Sequence, residues 1–351
     1  MKGFVSFHPV DLALFDDLIG PLVAGRKVNP EAYLAAAPRV RTSGWVARRY
    51  AVALQGLVIE AEAPKADPSS NLWQRLRTNL ERMDYKPEEA ARRAAQAFDP
   101  DLHLDGRPFF IAENSAERVA ATVDAYLDAG TEAGADLVAR DQLARLDPEL
   151  AKTVEPADIA DISSDLLYRD ELLSALKSLH DLGRLARDGK LWGIDGQPPR
   201  PAVAALPEEL PWRAMSIHAR VRPFWLGRDV DGLETICKAA GVAPPACLSP
   251  AWRPFAESCE AFPSLREMLG LELRQARAVG AFVAPSEIGQ LLEFLAGHGA
   301  RIITAATRAG EGPMATALLR KIKECAVYAQ KHEYGYVEAA GVMPPERDGE
   351  A

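Results

Sequence analysis

Histidine, cysteine and long apolar runs are scarce in this sequence. No apolar run approaches the ~20 residues that a membrane-spanning helix needs, so no membrane partner is expected. Cationic excess is missing too: 41 Lys and Arg face 50 Asp and Glu, a net charge of −9 with pI near 5.3. Nucleic acids and anionic surfaces call for a basic face, so neither is an expected partner. The four cysteines, Cys237, Cys247, Cys259 and Cys325, match no zinc-ligand spacing. They read as small apolar fillers in a reducing cytoplasm. There is no glycine-framed serine, no histidine pair at helical spacing and no dinucleotide fingerprint. Those absences remove the enzyme classes that announce themselves locally, and no cofactor is expected.

What is present is ordinary globular material. Hydrophobic residues make up 48% and charged residues 26%, enough for packed cores throughout. A length of 351 residues exceeds one comfortable core. "WGIDGQPPRPAVAALPEELPW", residues 192–212, holds five prolines and reads as an extended linker or strap. It divides the chain into a helix-rich N-terminal domain, 1–191, and a C-terminal α+β domain, 213–343, followed by a loose tail, 344–351. "MKGFVSFHPVD" carries one lysine and breaks at Pro9, which suits mature structure better than an export signal. Abundant alanine and a preference for arginine over lysine point to a GC-rich bacterial genome.

Helical spacing dominates. Leu72, Leu76, Leu80 and Met83 share one face with Trp73 beside them, "PEEAARRAAQAF" opens as a helix should, and Leu166, Leu173, Leu176 and Leu179 recur at three- and four-residue steps. Superimposed on this is a unit that occurs four times: a short aromatic or β-branched segment, a turn, then a capped helix. The copies are "GFVSFHPVDLALFDDLIGPLVAG", "PFFIAENSAERVAATVDAYLDAG", "PFWLGRDVDGLETICKAAG" and "GAFVAPSEIGQLLEFLAGHG". Each lead segment predicts a strand. Asn114 with Glu117 and Asp231 with Glu234 predict helix caps, Pro9 and Pro285 predict first-turn positions, and Gly25, Gly130, Gly241 and Gly297 predict helix ends. The fold class that follows is α+β, predominantly α-helical, with a few short strands in small sheets and strand–capped-helix units recurring four times.

Three constellations carry chemistry. In "SLHDLGRLARDG", residues 178–189, His180 and Asp181 offer an imidazole and a carboxylate, both suited to first-row divalent ions. "LHDLG" resembles the metal-binding core of HD-type phosphohydrolases. That resemblance implies His180 and Asp181 as ligands of a metal that activates water against a phosphoester. The pattern's earlier histidine has only His103 to fill it, and Asp229 and Asp231 are the candidates for its later carboxylate. Read from the residues alone, the dyad finishes a helix: His180 suits the negative C-terminal end and Gly183 terminates it.

In "SIHARVRPFW", residues 216–225, polar and apolar residues alternate, which predicts a strand presenting His218, Arg220 and Arg222 in a row. Two guanidinium groups beside an imidazole form a face for phosphate or carboxylate. "YAQKHEYGYVEAAG" groups Tyr328, His332, Tyr334 and Tyr336, aromatics with polar tips that suit an interface or anchor the C-terminal segment on the core. Taken together, the residues favour a cytoplasmic, non-catalytic binding or interaction module with a protein partner, regulatory or neutralising in role. The alternatives are metal-dependent phosphoester hydrolysis at His180–Asp181 and small-anion binding at His218, Arg220 and Arg222.

Overall fold

The computed structural model describes residues 4–62, 106–159, 165–193, 198–228, 232–250, 279–340 and 342. The helical readings over 71–83 and 87–98, with His103, Asp229, Asp231, Cys259 and the tail, lie outside these residues. The chain forms two compact units. One comprises Met1–Arg41, Ser115–Ala120 and Ser163–Ala351; the other comprises Thr42–Asn114 and Ala121–Ile162.

Alternation organises the first unit. In "FVSFHPV" every second side chain faces the same way, and the segment forms strand β1, Phe4–Val10. It lies between β4, Trp225–Arg228, and β7, Gly335–Ala340, and pairs antiparallel with both. Phe7 sits opposite Trp225 and Glu338; His8 sits opposite Val337. Beyond β7 come β6, Val279–Val283, and β5, Ser249–Pro250, in the order β4-β1-β7-β6-β5. Pro9 is inside β1 and not in a first helical turn. Pairing with β4 has ended at Phe7, so the missing amide hydrogen falls where β1 has lost one neighbour.

Helices cover both sides of this sheet. On one side lies α11, Gly312–Lys331, backed by α10, Ile288–Arg308. On the other, α7, Asp165–Arg187, and α8, Ala202–Val221, form an αα-hairpin whose core side chains cluster with Val10, Phe282, Val337 and Ala339. A two-residue ladder, β2, Leu191–Trp192, with β3, Arg200–Pro201, closes that hairpin. Helical turns α1, Leu12–Leu14, and α2, Gly20–Val23, joined through a π-helical turn, Phe15–Ile19, add Leu14, Phe15, Leu18 and Ile19 to the same core.

The proline-rich span is therefore no strap over its second half. Residues 202–212 are the first turns of α8, with Pro207 and Pro211 inside the helix. An interior proline costs roughly 3 kcal/mol. Against that, Ala205, Leu206, Leu210, Ala214 and Met215 are completely buried, and each large apolar side chain contributes about 1.5–3 kcal/mol. Burial wins. The same helix continues through 216–221, so the predicted strand there does not form either; Ile217, Ala219 and Val221 are buried as helix residues.

Three of the four lead segments behave as strands or strand-helix units: β1 precedes α1, β4 precedes α9, Leu233–Ala239, and β6 precedes α10. The second differs. Phe109, Phe110 and Ile111 are buried, but no strand pairs with them among the described residues. Their backbone is satisfied by side chains of the second unit instead. Tyr126 Oη donates to the Phe110 carbonyl at 2.8 Å, Arg107 donates to the carbonyls of Ile111 and Glu113, and Gln142 Oε1 accepts from the Ala112 amide. That second unit is built from the greater part of α3, Glu31–Glu62, and of α4, Ala116–Ala129, with α5, Glu132–Leu146, and α6, Pro148–Thr153. Tyr50 Oη donates to Asp136 at 2.6 Å across its core.

Glycine serves two purposes here. Gly25, Gly130 and Gly241 take positive φ at helix ends, whereas Gly297 lies inside α10, which runs on to Arg308. Gly183 also sits inside a helix and does not end one: α7 continues to Arg187. A Cβ at 183 would lie 2.4 Å from the Val23 carbonyl oxygen and 2.8 Å from its Cα, so glycine lets α7 touch the backbone at the end of α2. Gly183→Ala is expected to lower stability by about 1–3 kcal/mol or more through overpacking. Gly56→Ala in α3, where a Cβ meets nothing within 4 Å, should be neutral or gain up to about 1 kcal/mol. Urea unfolding of the two variants checks the contrast; equal behaviour would remove the close approach.

Candidate functional site

Ser6, His8, His218 and Glu338, four of the polar residues that the first unit buries, lie on or beside β1. Strand alternation sends Ser6, His8 and Val10 to the α7–α8 side, and α8 presents His218 to the same place. Both imidazoles are fully buried. Their rings stand edge to face with centroids 5.6 Å apart, and Phe224, itself partly exposed, stacks on His8 at 5.3 Å. Ser6 Oγ lies 2.8 Å from His8 Nε2 and donates to the Ala339 carbonyl at 3.2 Å. His8 Nδ1 and both ring nitrogens of His218 have no hydrogen-bond partner.

Burial governs the charge of this pair. It pulls His8 down to about 3. It pulls His218 far below the ordinary histidine range, helped by His8 and by the Arg222 cation, while the Pro9 carbonyl pulls weakly the other way without normal hydrogen-bond geometry. Both rings are neutral at physiological pH.

Arg222 closes the outer side. Its Nη2 donates to Asp11 Oδ2 at 2.7 Å, its Nη1 donates to the Val221 carbonyl, and its guanidinium lies 5.9 Å from the Tyr334 ring centroid. Asp11 has a second duty: Oδ1 accepts from the Ala13 amide and caps α1. Arg220 is turned elsewhere, donating to the Ser216 carbonyl one helical turn back. The predicted row of His218, Arg220 and Arg222 is thus broken up. In a helix, two residues on is about 200° round, so His218 and Arg222 stay neighbours while Arg220 leaves.

The opposite side of the sheet holds a buried acid. Glu338 accepts from the Leu233 amide at 3.1 and 3.3 Å and from Tyr336 Oη at 3.0 Å. Gly232 leaves room for it: a Cβ there would lie 2.4 Å from Glu338 Oε2. Burial raises Glu338 to about 7 against the pull of those hydrogen bonds. Burial also lifts Cys237 to about 11 and pushes Cys325 well above the usual thiol range, so these thiols stay protonated and behave as apolar fillers. Nearby, Trp225 Nε1 donates to Glu324 Oε2 at 3.1 Å.

The other predicted residues are placed differently. His180 and Asp181 lie side by side on a half-exposed turn within α7, 3.7 Å apart, with Arg184 3.5 Å from the carboxylate. Among the described residues, no group of three His, Cys, Asp or Glu side chains is placed to hold a metal. Tyr328 and Tyr336 are not surface groups; Tyr336 stacks on Phe7, and Tyr328 packs against Trp225 and His332. His332 and Tyr334 are partly exposed. Sequence reasoning passed over Ser6, His8, Asp11, Phe224 and Glu338. The signal for the first two was present: a strand whose alternation puts serine, histidine and valine on one inward face.

No helix of the described residues is long and apolar enough to cross a membrane. The chain matches no family model, no curated protein and no solved structure.

The buried acid and base oppose each other in pH dependence. His8 has an ordinary value of 6.5 and a folded value of about 3, so its contribution is complete above pH 6.5 and lost as pH falls toward 3. Glu338 has an ordinary value of 4.5 and a folded value of about 7, so its contribution is complete below pH 4.5 and lost as pH rises through 7. Glu338→Gln should therefore gain on the wild type by about 3 kcal/mol between pH 4.5 and 8, at ~1.4 kcal/mol per unit. Urea unfolding across that range reads the difference; a gap that stays constant with pH would mean the carboxyl titrates normally.

Proposed function

We propose that this protein is a non-catalytic binding module that takes a small molecule at the His8–His218 pair. One observation carries the reading: His8 Nδ1 and both ring nitrogens of His218 are buried together without a hydrogen bond of normal geometry, the Pro9 carbonyl lying beside His218. Nine-tenths or more of buried polar groups in folded proteins are paired, and an unpaired one costs about 1–3 kcal/mol. Gathering such groups in one place makes sense where a bound molecule supplies what they lack. Half-buried Phe224 stacks on His8, and half-buried Arg222 lies beside the Tyr334 ring.

A molecule seated there would bridge β1 and α8, tying the αα-hairpin to the sheet. Occupancy then changes how firmly the hairpin is held, which is how binding becomes a regulatory signal to a protein partner. Three buried free cysteines, Cys237, Cys247 and Cys325, support a reducing, cytoplasmic setting.

A thermal-shift screen of small polar molecules on the full chain tests this. A ligand at 100 times its dissociation constant adds ~2.7 kcal/mol, a rise of several degrees for a protein of this size. Compounds that raise the wild-type midpoint should leave His218→Leu unmoved. A screen without shifts, or shifts that persist in His218→Leu, would sink the reading.

A further inference from the structure

We propose that Glu338 is a pH-sensitive latch on α9: it clasps the start of that helix to the sheet in acid and lets it swing out as pH rises to neutrality. The device is separate from the His8–His218 pair, which lies on the other side of the sheet.

Helix α9 cannot hold its own first turn. It spans only Leu233–Ala239, and its N-cap is Gly232, which has no side chain to offer the first amides. So short a helix is marginal without outside support. Here the support comes from β7, 105 positions along the chain, where both oxygens of Glu338 accept from the Leu233 amide. The far end is tied independently: Arg301 of α10 donates to the Gly241 carbonyl at 3.2 Å. Releasing Glu338 therefore frees the start of α9 and leaves its end attached. Leu233 and Cys237, both completely buried, are uncovered when it opens.

No cation among the described residues pairs with the carboxyl. Tyr336 on its own strand, Glu234 and Cys237 on α9, and Cys325 on α11 are the titratable groups that face it. From β1 and β6 it meets Phe7 and Gly280, which carry no charge. Glu234 is paired with Lys238 at 2.7 Å within α9. Lys321 and Glu324 are also buried on α11, where Glu324 accepts from Trp225 Nε1. An ionised Glu338 thus has one amide and one phenol to offset its desolvation, whereas with α9 swung aside it meets water. The neutral acid lacks that penalty and keeps a carbonyl oxygen to accept the Leu233 amide. Burial accordingly raises the group from 4.5 to about 7. The closed state holds the proton more tightly, so closure is strongest below pH 4.5, weakens as pH rises, and is weakest above 7.

The test is amide hydrogen exchange of the full chain, read residue by residue by NMR between pH 5 and 8, each rate divided by the unstructured rate at that pH. Wild-type protection at Leu233 and its neighbours in α9 should fall about 10-fold per pH unit up to 7, as release of one proton requires, and then level off. Cys325 and Ala326 in α11 should not share that slope, because only α9 opens. In Glu338→Gln, which keeps an acceptor and cannot ionise, α9 protection should be flat across the range. The carboxyl 13C signal of wild-type Glu338 should titrate near 7, and with the wild-type exchange profile it decides the matter should the variant not fold. A carboxyl that titrates near 4.5 overturns the latch. So does a slope at α9 that persists in Glu338→Gln, or one that α11 shares in full.

Discussion

His8 is completely buried. Its strand is paired on both edges over much of its length and covered on both faces, by α7–α8 on one side and α11 on the other. A polar side chain in that position has to find partners within the protein or do without. Ser6, two residues away on the same face, gives His8 Nε2 a partner at 2.8 Å. His8 Nδ1 and both nitrogens of His218 make no hydrogen bond of normal geometry, with the Pro9 carbonyl lying beside His218. Much that is distinctive in the first unit follows from that enclosure, including the neutrality of both imidazoles and the position of Arg222 at the rim, balanced by Asp11.

The same enclosure acts on Glu338 with the opposite sign. Phe7 separates the two groups along β1: His8 faces one helical layer, and Glu338, opposite Phe7 on β7, faces the other. Desolvation penalises whichever form is charged, so it lowers the base and raises the acid. Between about pH 4.5 and 6.5 one group gains folded-state stability as the other loses it. The two slopes offset each other across mildly acidic conditions, although neither group touches the other. Glu338 accepts hydrogen bonds from Leu233 and Tyr336, and it fastens the start of α9 to the sheet. His8 and His218 are not satisfied, and that difference separates a structural polar group from a candidate site.

Much of the fold class was legible because apolar spacing was regular where packing is regular. The β1, β4 and β6 segments carry aromatic or branched residues in short runs, and α7, α10 and α11 carry apolar stripes. Two errors share a cause. Pro207 and Pro211 argue locally against helix, and "SIHARVR" argues locally for strand, yet α8 runs through both because one face of it, from Ala202 to Val221, is buried. Local preference was real and tertiary burial outweighed it. Phe109–Ile111 shows the converse: a strand-like composition without a ladder, because Tyr126, Arg107 and Gln142 reach its backbone first.

The site itself was hidden by distance. His8 and His218 are 210 positions apart, and no local motif joins them; only the antiparallel placement of β1 and the return of α8 across it bring the rings to 5.6 Å. His180 and Asp181, adjacent in sequence and so more conspicuous, sit on a half-exposed helix surface where Arg184 and solvent meet their needs. Exposed charged pairs of that kind contribute at most about 1 kcal/mol. A buried lone pair without a donor carries a larger and uncompensated cost, which a folded chain sheds most readily by admitting a molecule that brings the donor with it. By that reasoning the quieter pair of histidines, and not the conspicuous dyad, is the proposed ligand site.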